Sequence, residues 1–256
     1  MSDLGPQRYV DERPPEHFVG FHEYTRTHGA GLVYTLARVL FTPIGLGPFR
    51  VRAIGREHVP SSGPVILAAN HFSQWDHFII AVWISRPLQF MAKSQLYANP
   101  VMDYLLTRVG AFPVHRGAGD DEWMKTALAI LERGDIVLMY PEGGRSRTGS
   151  PGRARPGVGR LALESGVPVV PVATYGTLEL RRWRQNLRRL HIPPVTVRYG
   201  EPLRFDRVAA PDADAQRRAA EEIFEQVRTM YAELDEALRT RSRRQLLREA
   251  RSARAR

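Results

Sequence analysis

Between Phe49 and Gly200 short apolar runs alternate with stretches of helical pattern, and this alternation limits the fold more than any other feature. The apolar runs are Val65–Ala69, Leu88–Ala92, Ala111–Val114, Ile136–Tyr140, Val169–Ala173 and Val195–Tyr199. The helical stretches are Asp76–Ile84, Pro100–Val109, Glu122–Glu132, Val158–Ser165 and a short one near Leu180–Leu190. Strands and helices in turn predict an α/β fold, a mixed, largely parallel sheet covered by helices. A long helix closes it, with Ala220, Ile223, Phe224, Val227, Tyr231, Leu234 and Leu238 at helical spacing. A chain of 256 residues suffices for one large domain with a sizeable core.

The flanks read differently. Residues 1–28 form a polar lead-in containing Pro14 and Pro15. An amphipathic helix follows, with Leu32, Val33, Leu36, Val39 and Leu40 on one face and Tyr34 and Arg38 turned away. Such a helix either packs on the main domain or lies in a membrane interface. The longest apolar stretch, Gly29–Phe49, is split by Arg38 and broken by Pro43, Gly45 and Gly47. A spanning helix needs about 20 mostly apolar residues in a row, so this segment is expected on or in one leaflet. The polar first residues lack the positive-then-apolar order of a secretory signal. Beyond Leu238, Arg239–Arg256 holds eight arginines and one acid, Glu249, and reads as a frayed tail or a contact for anionic lipid. The expected organisation is a membrane-associating segment (1–48), a catalytic domain (49–238) and a basic tail (239–256).

Charge and cysteine content narrow the chemistry. There is no cysteine, which excludes disulfides, zinc–thiolate sites and a cysteine nucleophile. A net charge of +10, almost all of it arginine, favours phosphates and anionic lipid surfaces. Nucleic acid is not expected as a partner, because aromatics are not interleaved with the arginines.

The most informative segment is Asn70-His71-Phe72-Ser73-Gln74-Trp75-Asp76, set between a strand and a helix. On a continuous helix His71 and Asp76 would point about 140° apart, so they meet only if a turn intervenes. The strand–turn–helix pattern supplies one. A histidine oriented by a carboxylate is a general base. The spacing of His71, Asp76 and His77 matches no metal-ligand pattern. A second segment, Tyr140-Pro141-Glu142-Gly143-Gly144-Arg145-Ser146-Arg147-Thr148-Gly149, follows another strand. Its paired glycines allow close backbone approach, and Arg145 and Arg147 offer forked donors suited to phosphate. It lacks the lysine of a P-loop. Gly110-Ala111-Phe112-Pro113-Val114-His115-Arg116 places Arg116 at a strand end, and Val167–Val172 reads as a buried strand with prolines. Gly157–Ala162 imitates a dinucleotide fingerprint, but an arginine- and proline-rich stretch precedes it instead of a strand. Around Ser146, Thr148 stands where a nucleophile elbow needs glycine.

In this order the four segments resemble the blocks of the 1-acyl-sn-glycerol-3-phosphate acyltransferase family, within the glycerolipid acyltransferases. Asn70 to Asp76 match Asn-His-x-x-x-x-Asp, with the frequent serine at Ser73. Gly110, Phe112 and Arg116 match the second block. Tyr140 to Arg147 match aromatic-Pro-Glu-Gly-Thr-Arg-Ser-Arg except at Gly144, where threonine is usual. Val167–Val172 match the fourth block, and the likeness spans roughly residues 50–205. The resemblance implies that His71 is the general base on an acceptor hydroxyl with Asp76 as its partner, and that attack falls directly on a thioester carbonyl without an acyl-enzyme. It implies acceptor binding by Asn70, Ser73, Arg116, Glu142, Gly143, Arg145, Ser146 and Arg147, and an acyl side of the cleft shaped by the fourth block. No cofactor and no metal are implied. The acyl donor would be acyl-CoA or acyl-carrier protein, and the acceptor a lysophospholipid or a glycerol phosphate. The place of work would be the cytoplasmic face of the cell membrane, on a peripheral or monotopic protein touching an anionic surface. The departure at Gly144 leaves open another lysolipid or a glycolipid as acceptor. A basic lipid- or nucleic-acid-binding module without catalysis is the alternative from another class.

Overall fold

A computed structural model describes residues 11–114, 121–146, 148–180, 194–240 and 245. Seven strands form one sheet: β1 (Arg52–Ile54), β2 (Val65–Ala69), β3 (Leu88–Lys93), β4 (Ala111–Val114), β5 (Ile136–Met139), β6 (Val169–Tyr175) and β7 (Thr196–Tyr199), in the order β1-β7-β6-β2-β5-β3-β4. Every pairing is parallel except β6 with β7. Helices α1 (Val19–Thr27), α2 (Leu32–Leu46), α3 (Asp76–Ala81), α4 (Pro100–Arg108), α5 (Glu122–Glu132), α6 (Gly157–Ser165), α7 (Thr177–Leu180) and α8 (Ala213–Thr240) surround it. The expected α/β class, with a mixed, largely parallel sheet, is therefore what the chain adopts.

Residues of β2 alternate between two core layers. Val65, Leu67 and Ala69 pack with Ile79, Ile80 and Leu88 on one side, while Ile66 and Ala68 pack with residues of α5, α6 and α8 on the other. A strand covered on both faces must be apolar throughout, which is why the central strands read as unbroken apolar runs. Gly159 lets α6 and α8 touch: a Cβ there would meet the Gln216 carbonyl oxygen at 2.1 Å. That close packing, not dinucleotide binding, accounts for the glycine.

Several details depart from the sequence reading. The edge strand β1 is too short and polar to stand out. The described part of the expected lead-in, residues 11–28, is not simply a polar approach, because α1 packs on α5. His22 Nδ1 lies 2.8 Å from Thr126 Oγ1, Arg26 pairs with Glu122, and Phe18 enters the core. Its polar residues are partners for another helix, so a lack of apolar periodicity concealed it. Helix α2 runs through Pro43 to Leu46. Its orientation is the reverse of a helix docked by its leucines: Tyr34 is 7% exposed, while Leu32 and Leu40 are each 73% exposed. The Tyr34 hydroxyl accepts from the Leu88 N–H at 3.3 Å, and a Cβ on Gly45 would meet Val82 at 2.8 Å. Small and amphipathic residues thus face the protein.

Among the described residues no single helix is long and apolar enough to cross a membrane. The segments Pro15–Thr27 and Leu32–Leu46 reach that composition only together, bent by 82°. The predicted helix near Leu180–Leu190 is described only up to Leu180, and most of the basic tail lies outside the described residues.

Candidate active site

The carboxyl ends of β2, β3, β4 and β5 open onto one cleft of about 600 Å³, the usual ligand position in an open parallel sheet. Its construction starts at the end of β2. The Asn70 side chain donates to the Thr174 carbonyl at 3.0 Å and accepts from the Thr174 N–H at 2.7 Å. This pair of bonds ties the end of β2 to β6, so the chain leaves the sheet at a fixed point. His71 follows, and the turn behind it folds around Asp76. The Oδ2 of Asp76 accepts from His71 Nδ1 at 2.7 Å and from the Phe72 and Ser73 N–H groups at 2.8 Å each. One buried carboxylate oxygen therefore closes the turn and orients the imidazole. With Nδ1–H committed to Asp76, the Nε2 lone pair is the free basic position, on a ring that lines the cleft.

The second wall comes from the turn after β5. Tyr140 stacks on the His71 ring, with centroids 3.9 Å apart and planes 19° apart. Glu142 lies behind. Its Oε1 accepts the His71 N–H at 2.8 Å and its Oε2 the Gly152 N–H at 2.9 Å. Burial pushes the Glu142 carboxyl up to about 7, against the pull of those two N–H donors. The His71 carbonyl in turn accepts the Ser146 N–H at 2.7 Å. The two segments are thus laced together along the backbone.

Gly143 has φ +66°, and a Cβ there would meet Arg155 Cδ at 2.6 Å and Nε at 2.7 Å. Glycine is required both for the turn and for the arginine that lies across it. Arg155 is anchored by its own N–H, which donates to the Pro141 carbonyl at 2.8 Å. Arg145 and Arg155 both line the cleft, and neither side chain has a hydrogen-bond or ion-pair partner among the described residues. Asp121, also on the wall, is engaged by Arg160 at 2.6 Å. The rest of the lining is largely apolar, including Phe90, Met91, Leu96, Trp123, Met139 and Val158. His77 stacks on Phe90 at 4.5 Å, and desolvation holds it down to about 3, hence neutral.

The structure thus brings His71, Gly143 and Arg145 to the cleft wall and joins His71 to Asp76 as the turn required. Four other sequence candidates do not line the cleft. Asn70 is a strand clamp. Ser73 Oγ accepts the Trp75 N–H at 3.3 Å within the turn. Glu142 is engaged by two backbone donors. Ser146 Oγ donates to the Ser150 carbonyl at 2.7 Å. Hydrogen bonds within the protein hold these side chains, Asn70 and Ser73 fully buried, Glu142 and Ser146 half-buried. Arg116 and Arg147 lie outside the described residues. The fourth block is core: Val169, Val170 and Val172 are buried in β6 between β2 and β7, away from the cleft. Sequence reading missed Arg155, whose signal was only the arginine-rich stretch before α6, and it missed the stacking of Tyr140.

Residues 50–175 match the family model described as Acyltransferase. A chloroplastic 1-acyl-sn-glycerol-3-phosphate acyltransferase of Arabidopsis thaliana is 28% identical over 142 residues, 54% of this chain and 40% of the relative. A lyso-ornithine lipid O-acyltransferase of Pseudomonas aeruginosa is 37% identical over 130 residues, 49% of this chain and 47% of the relative. This chain therefore spans about half the length of the curated relatives it matches. The crystal structure of the 1-acyl-sn-glycerophosphate acyltransferase of Thermotoga maritima shares the fold with TM-score 0.59 and 22% identity, over 86% of this chain and 89% of that one. Residues 50–175 therefore carry an Acyltransferase domain, and over that region the chain is similar to 1-acyl-sn-glycerol-3-phosphate acyltransferases.

Proposed function

We propose that this protein transfers a fatty acyl group from an acyl thioester, acyl-CoA or acyl-carrier protein, to the free hydroxyl of 1-acyl-sn-glycerol 3-phosphate, giving phosphatidic acid. The observation that carries this reading is the His71–Asp76 pair facing a cleft with two unpaired arginines and otherwise largely apolar walls. Nε2 of His71 takes the proton of the acceptor hydroxyl as its oxygen attacks the thioester carbonyl carbon. Asp76 stabilises the resulting imidazolium. Collapse of the tetrahedral intermediate breaks the carbon–sulfur bond, and the proton on Nε2 passes to the leaving thiolate. Arg145 and Arg155 bind the acceptor phosphate by charge-assisted hydrogen bonds, and the apolar lining takes acyl chain. The exposed leucines of α2, with the net positive charge, hold the protein on the cytoplasmic face of a membrane.

A second acceptor has its own support. The lyso-ornithine lipid enzyme is 37% identical, and Gly144 departs from the threonine usual in the phosphate-acceptor block. The deciding assay offers 1-acyl-sn-glycerol 3-phosphate, glycerol 3-phosphate and a lyso-ornithine lipid with each donor type. Preference for the first acceptor supports the main reading, preference for the last replaces it, and no acyl transfer to any of them refutes both.

A further inference from the structure

We propose that α4 and the turn Ser94–Ala98 before it form a second lipid-docking surface, separate from α2, which sets the mouth of the cleft against a membrane leaflet. The distribution of exposed apolar side chains carries this. Among the described residues, the large hydrophobic side chains exposed at the surface, all but Val208, lie within residues 19–46 and 96–105. On α4 and its turn they are Leu96, Val101, Met102, Tyr104 and Leu105, with Val101 68% exposed. Contiguous exposed apolar surface of this kind marks an interaction site.

Three observations choose a lipid leaflet as the occupant. First, α4 packs against α2, so its apolar residues extend the face already formed by Leu32, Leu36 and Leu40. Second, cations and aromatics stand among them as they do at membrane interfaces. The Arg108 guanidinium lies 5.0 Å from the centroids of both the Tyr24 and Tyr104 rings, and Arg38 donates to the Ser85 carbonyl at 2.7 Å. Third, the same segment enters the site. Leu96 and Leu106 line the cleft, so the apolar surface continues into the cavity. A lipid acceptor can then slide from leaflet to His71 without its chain crossing water. The surface rests on the reading that the acceptor is a lipid, but its binding is measurable without turnover.

The test uses the full chain carrying Val101→Ser and Leu105→Ser, which share a face of α4 and do not line the cleft. Sedimentation with phosphatidylcholine–phosphatidylglycerol vesicles should show binding weakened by roughly tenfold for each side chain no longer buried in lipid. Val101→Phe with Leu105→Phe should strengthen it. Vesicle binding equal to wild type in both variants overturns the proposal. So does unchanged binding with loss of a wild-type dimer, which would give the face to a second copy of the chain. Acyl transfer to a water-soluble short-chain acceptor should stay at the wild-type rate in the serine variant, while transfer to the same headgroup on vesicles falls. If no lysolipid is acylated in either form but vesicle binding still shifts, the surface stands and the enzymatic reading fails.

Discussion

The backbone N–H of His71 donates to Glu142 Oε1 at 2.8 Å, so the proposed general base is held from behind by a carboxylate far from it in the chain. Glu142 binds Gly152 with its other oxygen and thereby fixes the loop that delivers Arg155. We predict that Glu142→Ala lowers kcat by more than tenfold and weakens acceptor binding, because both walls of the site lose their common anchor. Steady-state kinetics of the folded variant checks this, and a change in KM alone would confine Glu142 to the Arg155 loop.

The same carboxyl has a signature in stability. Burial raises Glu142 from 4.5 to about 7 in the folded protein. The native state therefore holds this proton more tightly than the unfolded chain does. Its contribution is fully present below the unfolded value of 4.5 and is lost as pH rises to about 7. Urea midpoints measured at acid and at mildly alkaline pH should fall with rising pH more in wild type than in Glu142→Gln. Parallel curves for the two proteins would show that Glu142 does not carry this proton.

His71→Ala should lower kcat by about 10²–10⁴-fold with the far-ultraviolet circular dichroism unchanged, the usual contribution of a general base. Asp76→Asn should cost activity and stability together. Oδ2 of Asp76 serves two backbone donors besides the imidazole, and an amide nitrogen turned toward them would leave buried groups unpaired at about 1–3 kcal/mol. Normal stability with lost activity would mean that the amide keeps its oxygen on the turn and only the imidazole is misplaced.

Arg145→Ala and Arg155→Ala should each lower kcat/KM for 1-acyl-sn-glycerol 3-phosphate by roughly 10–150-fold, the loss of one charge-assisted hydrogen bond. Acceptors without phosphate should be affected far less. Gly143→Ala should resemble Arg155→Ala, since its methyl would displace the Arg155 side chain from a contact at 2.6 Å. Equal losses for charged and neutral acceptors would make the arginines structural.

Removing residues 1–48 should destabilise the domain instead of merely freeing it from lipid. Phe18 is 1% exposed in the main core, and losing such a side chain costs about 3–5 kcal/mol. Leu36→Ser with Leu40→Ser is the cleaner test of α2. It should reduce vesicle sedimentation at an unchanged thermal midpoint, and unchanged sedimentation would move the membrane contact off α2.

The sequence by itself determined the alternation of strands and helices and the encounter of His71 with Asp76. Both are local: the first is written in periodicity, the second in five residues that can close only through a turn. Tertiary structure decided what those local signals leave free. Periodicity marks α2 as amphipathic, yet only packing against α3 and β3 turned Tyr34 inward and the leucines outward. It missed α1, whose polar side chains acquire meaning only beside Thr126 and Glu122. Asn70, Ser73, Glu142 and Ser146 read as ligand contacts because polar residues near the His71–Asp76 pair look alike in sequence. Hydrogen bonds within the protein make them anchors, most completely for the buried Asn70 and Ser73, since a polar group removed from water must find its partner within the protein. Arg155 became part of the site only because Glu142, Gly152 and Pro141 fold its loop across Gly143, through hydrogen bonds between residues whose spacing carries no periodic signal.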